Sequence, residues 1–264
     1  MDAGLKGKRA LVTGGATGIG RGIALALAAE GVDVAIASRN PSDETIDAIK
    51  AHGVRALRVV ADVSQEDQIV QMVRTTIGGL GGLDLYVNNV AAHWDEPVTR
   101  VTSEGWLNSI NTNLSSGVYG CREVSRHFID QGSGSILIVG STAAHAPLAT
   151  ETGYRVSKAG LKPYMEVLSV ELAPFNIRVN MVTPGYLPTK VAADIIGDRE
   201  DEILAQIPLR RPGTPEDWGN AAVFLLSDKL SAYTTGSELV IDGGFHLRPT
   251  SLFSDAEVRR MNTT

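Results

Sequence analysis

At 264 residues, with 43% hydrophobic residues, 20% charged residues and 28 glycines, the chain can bury a large core without disulfides or metal, and its composition excludes a chain dominated by disorder. Its 24 basic and 30 acidic residues give a formal net charge of -6 with no long block of one sign, which excludes the basic footprint of a nucleic-acid binder. The lone Cys121 excludes an intrachain disulfide, and neither a secretory h-region nor a run of about 20 apolar residues is present, so the expectation is a soluble cytoplasmic protein with no membrane partner and no metal site.

Short apolar, β-branched runs predict seven strands, over Arg9 to Thr13, Asp33 to Ala37, Ala56 to Val60, Leu83 to Asn88, Ser135 to Val139, Arg178 to Val182 and Glu238 to Ile241. Segments of helical period lie between them, over Gly20 to Glu30, Asp43 to His52, Glu66 to Ile77, Glu104 to Gln131 and Gly153 to Ala173, and a further helix starts near Pro215. This alternation predicts an α/β, doubly wound parallel sheet with helices on both faces. No repeat or linker divides the chain, so residues 1–264 are expected to form a single domain. Thr189 to Gly213 is less periodic and carries the charge cluster Asp198 to Glu202; it suits a substrate lid or an ordinary surface excursion. Phe245 to Thr264 forms a tail beyond the last strand.

The first strand runs into Thr13-Gly14-Gly15-Ala16-Thr17-Gly18-Ile19-Gly20 and then into a helix. Strand, glycine turn and helix in that order let backbone N–H groups and the positive end of a helix dipole meet a pyrophosphate. A tight βα turn can also need glycine for its own sake, so the turn alone leaves both readings open. The tip of the second strand reaches the adenosine ribose in such folds. There Ser38 offers no carboxylate to repel a 2′-phosphate, and Arg39 offers a guanidinium to bind one, although a solvated surface arginine is the plain alternative. Asp62, after the third strand, suits either an adenine contact or a helix N-cap.

Tyr154 and Lys158 are four residues apart in a helical segment and so share a face. A nearby ammonium favours the phenolate and lowers a phenol pKa that is otherwise about 10, which makes the pair a tunable acid and base. Ser141 follows the strand ending at Val139, where ligands of parallel sheets bind, and its hydroxyl can stabilise charge on a reacting oxygen. Asn113 lies inside a helical segment that gives asparagine no advantage; facing solvent is its plain reading.

Together, the T-G-x-x-x-G-x-G turn and the ordered set Asn113, Ser141, Tyr154 and Lys158 resemble the short-chain dehydrogenase/reductase family, over about Lys8 to Gly244. Asn88-Asn89, Pro184-Gly185 and Ile241-Asp242-Gly243-Gly244 extend the likeness. The resemblance implies a Rossmann-like fold and an oxidoreductase interconverting a ketone and a secondary alcohol, with Tyr154 as acid or base, Ser141 on the substrate oxygen, and Asn113 holding a water of the proton relay. It implies a cofactor held by Gly14, Thr17, Gly18, Ile19, Gly20, Ser38, Arg39, Asp62, Val63, Asn89, Tyr154, Lys158, Pro184, Gly185 and Thr189, with NADP(H) preferred and NAD(H) able to substitute. A homotetramer is also implied. By position, His93, Trp94, His145, Pro147, Leu148, Tyr186 and Leu187 are expected to face a substrate such as a 3-oxoacyl thioester, a sugar or polyol, or an alicyclic ketone. The alternatives are an NAD-linked alcohol or sugar dehydrogenase and a cofactor-binding sensor or scaffold without turnover. Two departures from the family pattern are Val90-Ala91, where Ala-Gly is usual, and Pro163 inside the helix of Tyr154.

Overall fold

The computed structural model describes residues 2–94, 96–145, 150–189 and 197–247. Its strands are β1 (Arg9–Thr13), β2 (Asp33–Ser38), β3 (Ala56–Val60), β4 (Leu85–Asn88), β5 (Gly134–Val139), β6 (Ile177–Pro184) and β7 (Glu238–Ile241). They form one parallel sheet in the order β3-β2-β1-β4-β5-β6-β7. The chain builds outward from β1 to β3, then returns to lay β4 on the other side of β1. That reversal opens a crevice beyond the carboxyl ends of β1 and β4, the place where open α/β sheets bind ligands.

The helices are α1 (Gly18–Ala29), α2 (Asp43–Lys50), α3 (Glu66–Leu80), α4 (Ser103–Ile110), α5 (Ser116–Gln131), α6 (Thr152–Leu172), α7 (Glu200–Gln206), α8 (Pro215–Leu226) and α9 (Asp228–Ser231). Side chains alternate across the sheet, so each central strand feeds two cores. Leu11, Tyr86 and Ile136 pack with Met72, Phe128 and Met165 of α3, α5 and α6. Their neighbours Val12, Val87 and Leu137 pack with Ile23, Leu27 and Trp218 of α1 and α8. Burial on both faces explains why these strands read as continuous apolar runs.

The segment expected to be one helix from Glu104 to Gln131 is α4 and α5 joined by a π turn, Asn111–Ser115. One extra residue in a turn hardly disturbs the apolar spacing, so the pattern conceals it. α6 continues through Pro163. The missing N–H there deprives the Ala159 carbonyl of its helical donor, but Ala159 is exposed, and the turn bearing Tyr154 and Lys158 lies ahead of it. The stretch from Thr189 to Gly213 contains α7, while 190–196 lie outside the described residues, as do Pro147, Leu148 and the tail beyond Leu247.

Candidate active site

The turn after β1 is built so that backbone can lie where side chains cannot. Gly14 and Gly18 adopt φ of +66 and +55°, and a Cβ on Gly20 would lie 2.3 Å from the Gly14 carbonyl oxygen. Asn89 braces this turn: its Nδ2 donates to the Thr13 carbonyl at 2.9 Å, and its N–H donates to Thr13 Oγ1 at 2.9 Å. The Thr17 side chain makes no capping hydrogen bond, and no acidic residue occupies the first turn of α1, so the helix start keeps its positive character. Val90 packs against the core and would stand 3.2 Å from a Cβ on Gly14, so the extra methyl groups of Val90-Ala91 adjoin this glycine cradle.

At the tip of β2, Ser38 Oγ is buried with no hydrogen-bond partner, beside an exposed Arg39. Asp62 is not the N-cap of α3, a position held by Gln65; its Oδ1 accepts the Ser64 N–H at 3.0 Å. That N–H holds the Asp62 carboxyl below the ordinary range against the effect of burial, with the Arg39 charge adding to it. Val63 is buried in the core. Pro184 ends β6, and Gly185 is needed where it stands because a Cβ would lie 2.6 Å from Asp242 Cα. Leu187 turns back over the glycine turn, its Cδ2 3.8 Å from a Cβ built on Gly18, and Thr189 N–H donates to the Leu187 carbonyl. A glycine cradle and an open helix start, with the Ser38 hydroxyl and the Arg39 guanidinium at the neighbouring strand tip, fit a nicotinamide dinucleotide.

Across the crevice, Tyr154 and Lys158 sit one turn apart on the buried face of α6, at 8% and 3% exposure. Lys158 Nζ donates to the Val139 carbonyl at 3.0 Å, and burial brings its ammonium down to about 8. Ser141 Oγ accepts the Ala143 N–H at 3.1 Å in a one-turn 3₁₀ helix, which leaves the serine proton to be donated elsewhere. Asn113 is fully buried in the π turn rather than facing solvent. Its amide binds both backbone groups of Ala92 and donates to Ser157 Oγ at 3.1 Å, and Ser157 in turn donates to the Tyr154 carbonyl. Asn113 thus ties the loop after β4 to the helix of Tyr154.

The residues expected to face substrate fall in different places. The exposed His93 ring stacks on the Tyr154 ring at a centroid distance of 3.7 Å and an angle of 21°. Trp94 lies farther out, beside Trp106 and Gly153. His145 pairs with Glu238 at 2.8 Å, and Tyr186 donates to Glu200 on α7 at 3.0 Å. Glu238, also bonded by Thr183 at 2.6 Å, stays below the ordinary carboxylate range although burial works to raise it. A cavity of about 500 Å³ between Gly185-Tyr186 and Gly243-Gly244 includes neither Tyr154 nor Ser141 in its lining. Sequence reasoning did not find Glu238, 93 residues from His145. Nor did it single out the Glu151–Arg155 and Asp242–His246 pairs, whose i,i+4 spacing is a readable signal. Among the described residues, no group of three or more His, Cys, Asp or Glu could hold a metal, and no helix is long and apolar enough to cross a membrane.

A dinucleotide crevice facing a buried tyrosine and lysine defines the class: a nicotinamide-dependent oxidoreductase built on a Rossmann-like sheet. A family model described as enoyl-(acyl carrier protein) reductase matches residues 14–246. The 3-oxoacyl-[acyl-carrier-protein] reductase of Chlamydia pneumoniae is 37% identical over 246 residues, covering 92% of this chain and 99% of that protein. A short-chain type dehydrogenase/reductase from Mycobacterium marinum superposes with a TM-score of 0.86 at 36% identity, over 91% of this chain and 96% of that one. A structure from Agrobacterium tumefaciens with bound NADP does so with a TM-score of 0.86 at 29% identity, over 94% and 99%. The chain belongs to the short-chain dehydrogenase/reductase family. It is an enzyme that acts on the carbonyl/CH–OH pair with NAD(P), which sets aside the sensor or scaffold reading.

Proposed function

We propose that the enzyme reduces a 3-oxoacyl thioester to the 3-hydroxyacyl thioester with NADPH, with Tyr154 delivering the proton. The observation that carries this reading is that Tyr154 and Lys158 lie one turn apart on the buried face of α6, while Ser141 Oγ accepts the Ala143 N–H and keeps its own proton to donate. The relative from Chlamydia pneumoniae, named for this reaction, supports the substrate class. Ser38 and Arg39 support the choice of NADPH: a buried hydroxyl and a guanidinium suit a 2′-phosphate, and no carboxylate opposes one.

When bound, the nicotinamide supplies the hydride that goes to the carbonyl carbon. Ser141 donates a hydrogen bond to the carbonyl oxygen and stabilises the negative charge that develops on it. Tyr154 gives that oxygen its proton. The Lys158 ammonium stabilises the phenolate left behind, so the transfer does not require a phenol with its ordinary pKa of about 10 to ionise unaided. Asn113 holds Ala92 and Ser157 together and fixes the Tyr154 backbone relative to the loop after β4. His93 stacks on the Tyr154 ring and covers one of its faces. The exposed valines 156, 167 and 170 form an apolar stripe on α6 that suits burial against another copy in a homotetramer, which light scattering would measure.

The reading is tested by following NADPH consumption with acetoacetyl-coenzyme A, simple ketones and sugars. Turnover of the thioester at least about tenfold above the other classes in kcat/KM is expected. Turnover confined to polyols with NAD+ would replace this reading with the oxidative one.

A further inference from the structure

Next to Tyr154 on α6 stands an ion pair for which the chemistry above has no use. Arg155 Nε lies 2.8 Å from Glu151 Oε2, a charge contact without hydrogen-bond alignment between these two atoms, and the two side chains are only 16% and 10% exposed. The same guanidinium donates through Nη1 to the Ala143 carbonyl at 2.9 Å. The Ala143 N–H, in turn, donates to Ser141 Oγ. A continuous chain of polar contacts therefore runs from the Glu151 carboxylate through Arg155 and the Ala143 residue to the Ser141 hydroxyl. Glu151 is itself anchored on its far side, where it forms a parallel bridge with Glu96, whose N–H donates to the Thr150 carbonyl at 2.8 Å.

Burying two charges costs about as much as their attraction returns, so stability alone does not account for this pair. Geometry does. A guanidinium is a rigid plane that can lie against a carboxylate with one nitrogen while donating to a carbonyl with another, which the single point of an ammonium cannot do. By holding the Ala143 carbonyl, Arg155 fixes the turn whose N–H occupies one lone pair of Ser141. With that lone pair taken, the hydroxyl rotor keeps its proton for an outside acceptor.

We propose that Arg155, held by Glu151, is a positioning residue that locks the turn after β5 to the first turn of α6 and so aims the Ser141 hydroxyl at the oxygen protonated by Tyr154. This rests on the roles of Ser141 and Tyr154 given under Proposed function. It predicts that Arg155 matters only through Ser141.

The test is a double-mutant cycle. Arg155→Met is combined with Glu151→Gln, so that no lone charge is left buried, and kcat is measured at saturating NADPH and acetoacetyl-coenzyme A with and without Ser141→Ala. The pair is expected to lower kcat about tenfold when Ser141 is present and less than about twofold when it is absent, with NADPH affinity by fluorescence unchanged throughout. Arg155→Lys, which keeps the charge pair but cannot also hold Ala143, is expected to lose about threefold by the same Ser141-dependent route, and it carries the cycle if the double variant does not fold. An equal loss in both backgrounds, or no loss in either, overturns the positioning role while leaving the reaction intact. Full activity of Ser141→Ala would overturn both the positioning role and the reading beneath it.

Discussion

The two halves of the crevice are built from different materials. On the β1–β4 side, contacts are made by backbone and by the absence of side chains: Gly14, Gly18 and Gly20 leave a cradle that Asn89 braces from behind. On the β5–β7 side, contacts are made by polar side chains in a bonded network: Ser141, Lys158, Asn113, Arg155 and Glu238 each have a named partner. A cradle made of backbone recognises a cofactor common to many reactions, whereas a network of side chains can set a particular chemistry. The first half should therefore fail in binding when altered, and the second in turnover.

The largest expected effect lies in the network. Lys158→Met should lower kcat/KM about 10³-fold, within the span of general acid–base catalysis. It should also make the protein more stable at pH 7, because the buried ammonium opposes folding. The folded-state pKa of about 8 lies below the ordinary 10.5, so the folded protein binds fewer protons than the unfolded one between those values. Wild-type stability should accordingly rise with pH across that window, by on the order of 2 kcal/mol, and the methionine variant should show no such rise. Denaturant midpoints at pH 7 and pH 10 measure this; a less stable variant at pH 7 would contradict it. In the same window the sign for activity is opposite. Wild-type kcat/KM for ketone reduction should fall above about pH 8 as Lys158 loses the charge that supports Tyr154.

Next in size is the cradle. Gly20→Ala places a methyl group 2.3 Å from the Gly14 oxygen and 2.6 Å from Asn89 Nδ2, so the turn must open. NADPH affinity by fluorescence titration should drop about 100-fold, a loss of about 2.7 kcal/mol. A variant that binds normally but turns over slowly would blur the distinction between the halves. Arg39→Ala is expected to cut the NADPH-to-NADH ratio of kcat/KM about tenfold, the worth of one charge-assisted contact. An unchanged ratio would leave Arg39 as a surface arginine. The smallest effect is expected at His145→Gln, which keeps a donor for Glu238 beyond the reacting groups and should alter kcat less than about twofold.

The difference between the halves also governs what could be read from the sequence. The cradle is local: strand, glycines and helix follow one another, and the inner strands stand out because both sheet faces are buried there, while the edge strands β3 and β7 are partly exposed. The network is assembled over long distances. Nothing in the sequence near His145 points to Glu238, its partner 93 residues away. Asn113 was noticed because asparagine is out of place in a helix, but the π turn that buries it leaves almost no mark on the apolar spacing. Asp62 and Leu187 show the same limit. Position offered an adenine contact or a helix cap for Asp62 and a substrate contact for Leu187, but not the Ser64 N–H that Asp62 accepts nor the approach of Leu187 to Gly18. The i,i+4 pair Glu151 and Arg155 was legible as an ion pair, but not its reach to the Ala143 carbonyl.

The claim on which the rest depends is that Tyr154 delivers the proton, and the direct measurement is acetoacetyl-coenzyme A reduction by wild type and Tyr154→Phe, with NADPH binding measured on the same samples. The phenylalanine keeps the ring under His93 and removes only the hydroxyl. NADPH affinity should stay within about twofold while kcat falls at least about 10³-fold. A variant that binds NADPH normally and retains more than about a tenth of wild-type kcat would contradict the assignment.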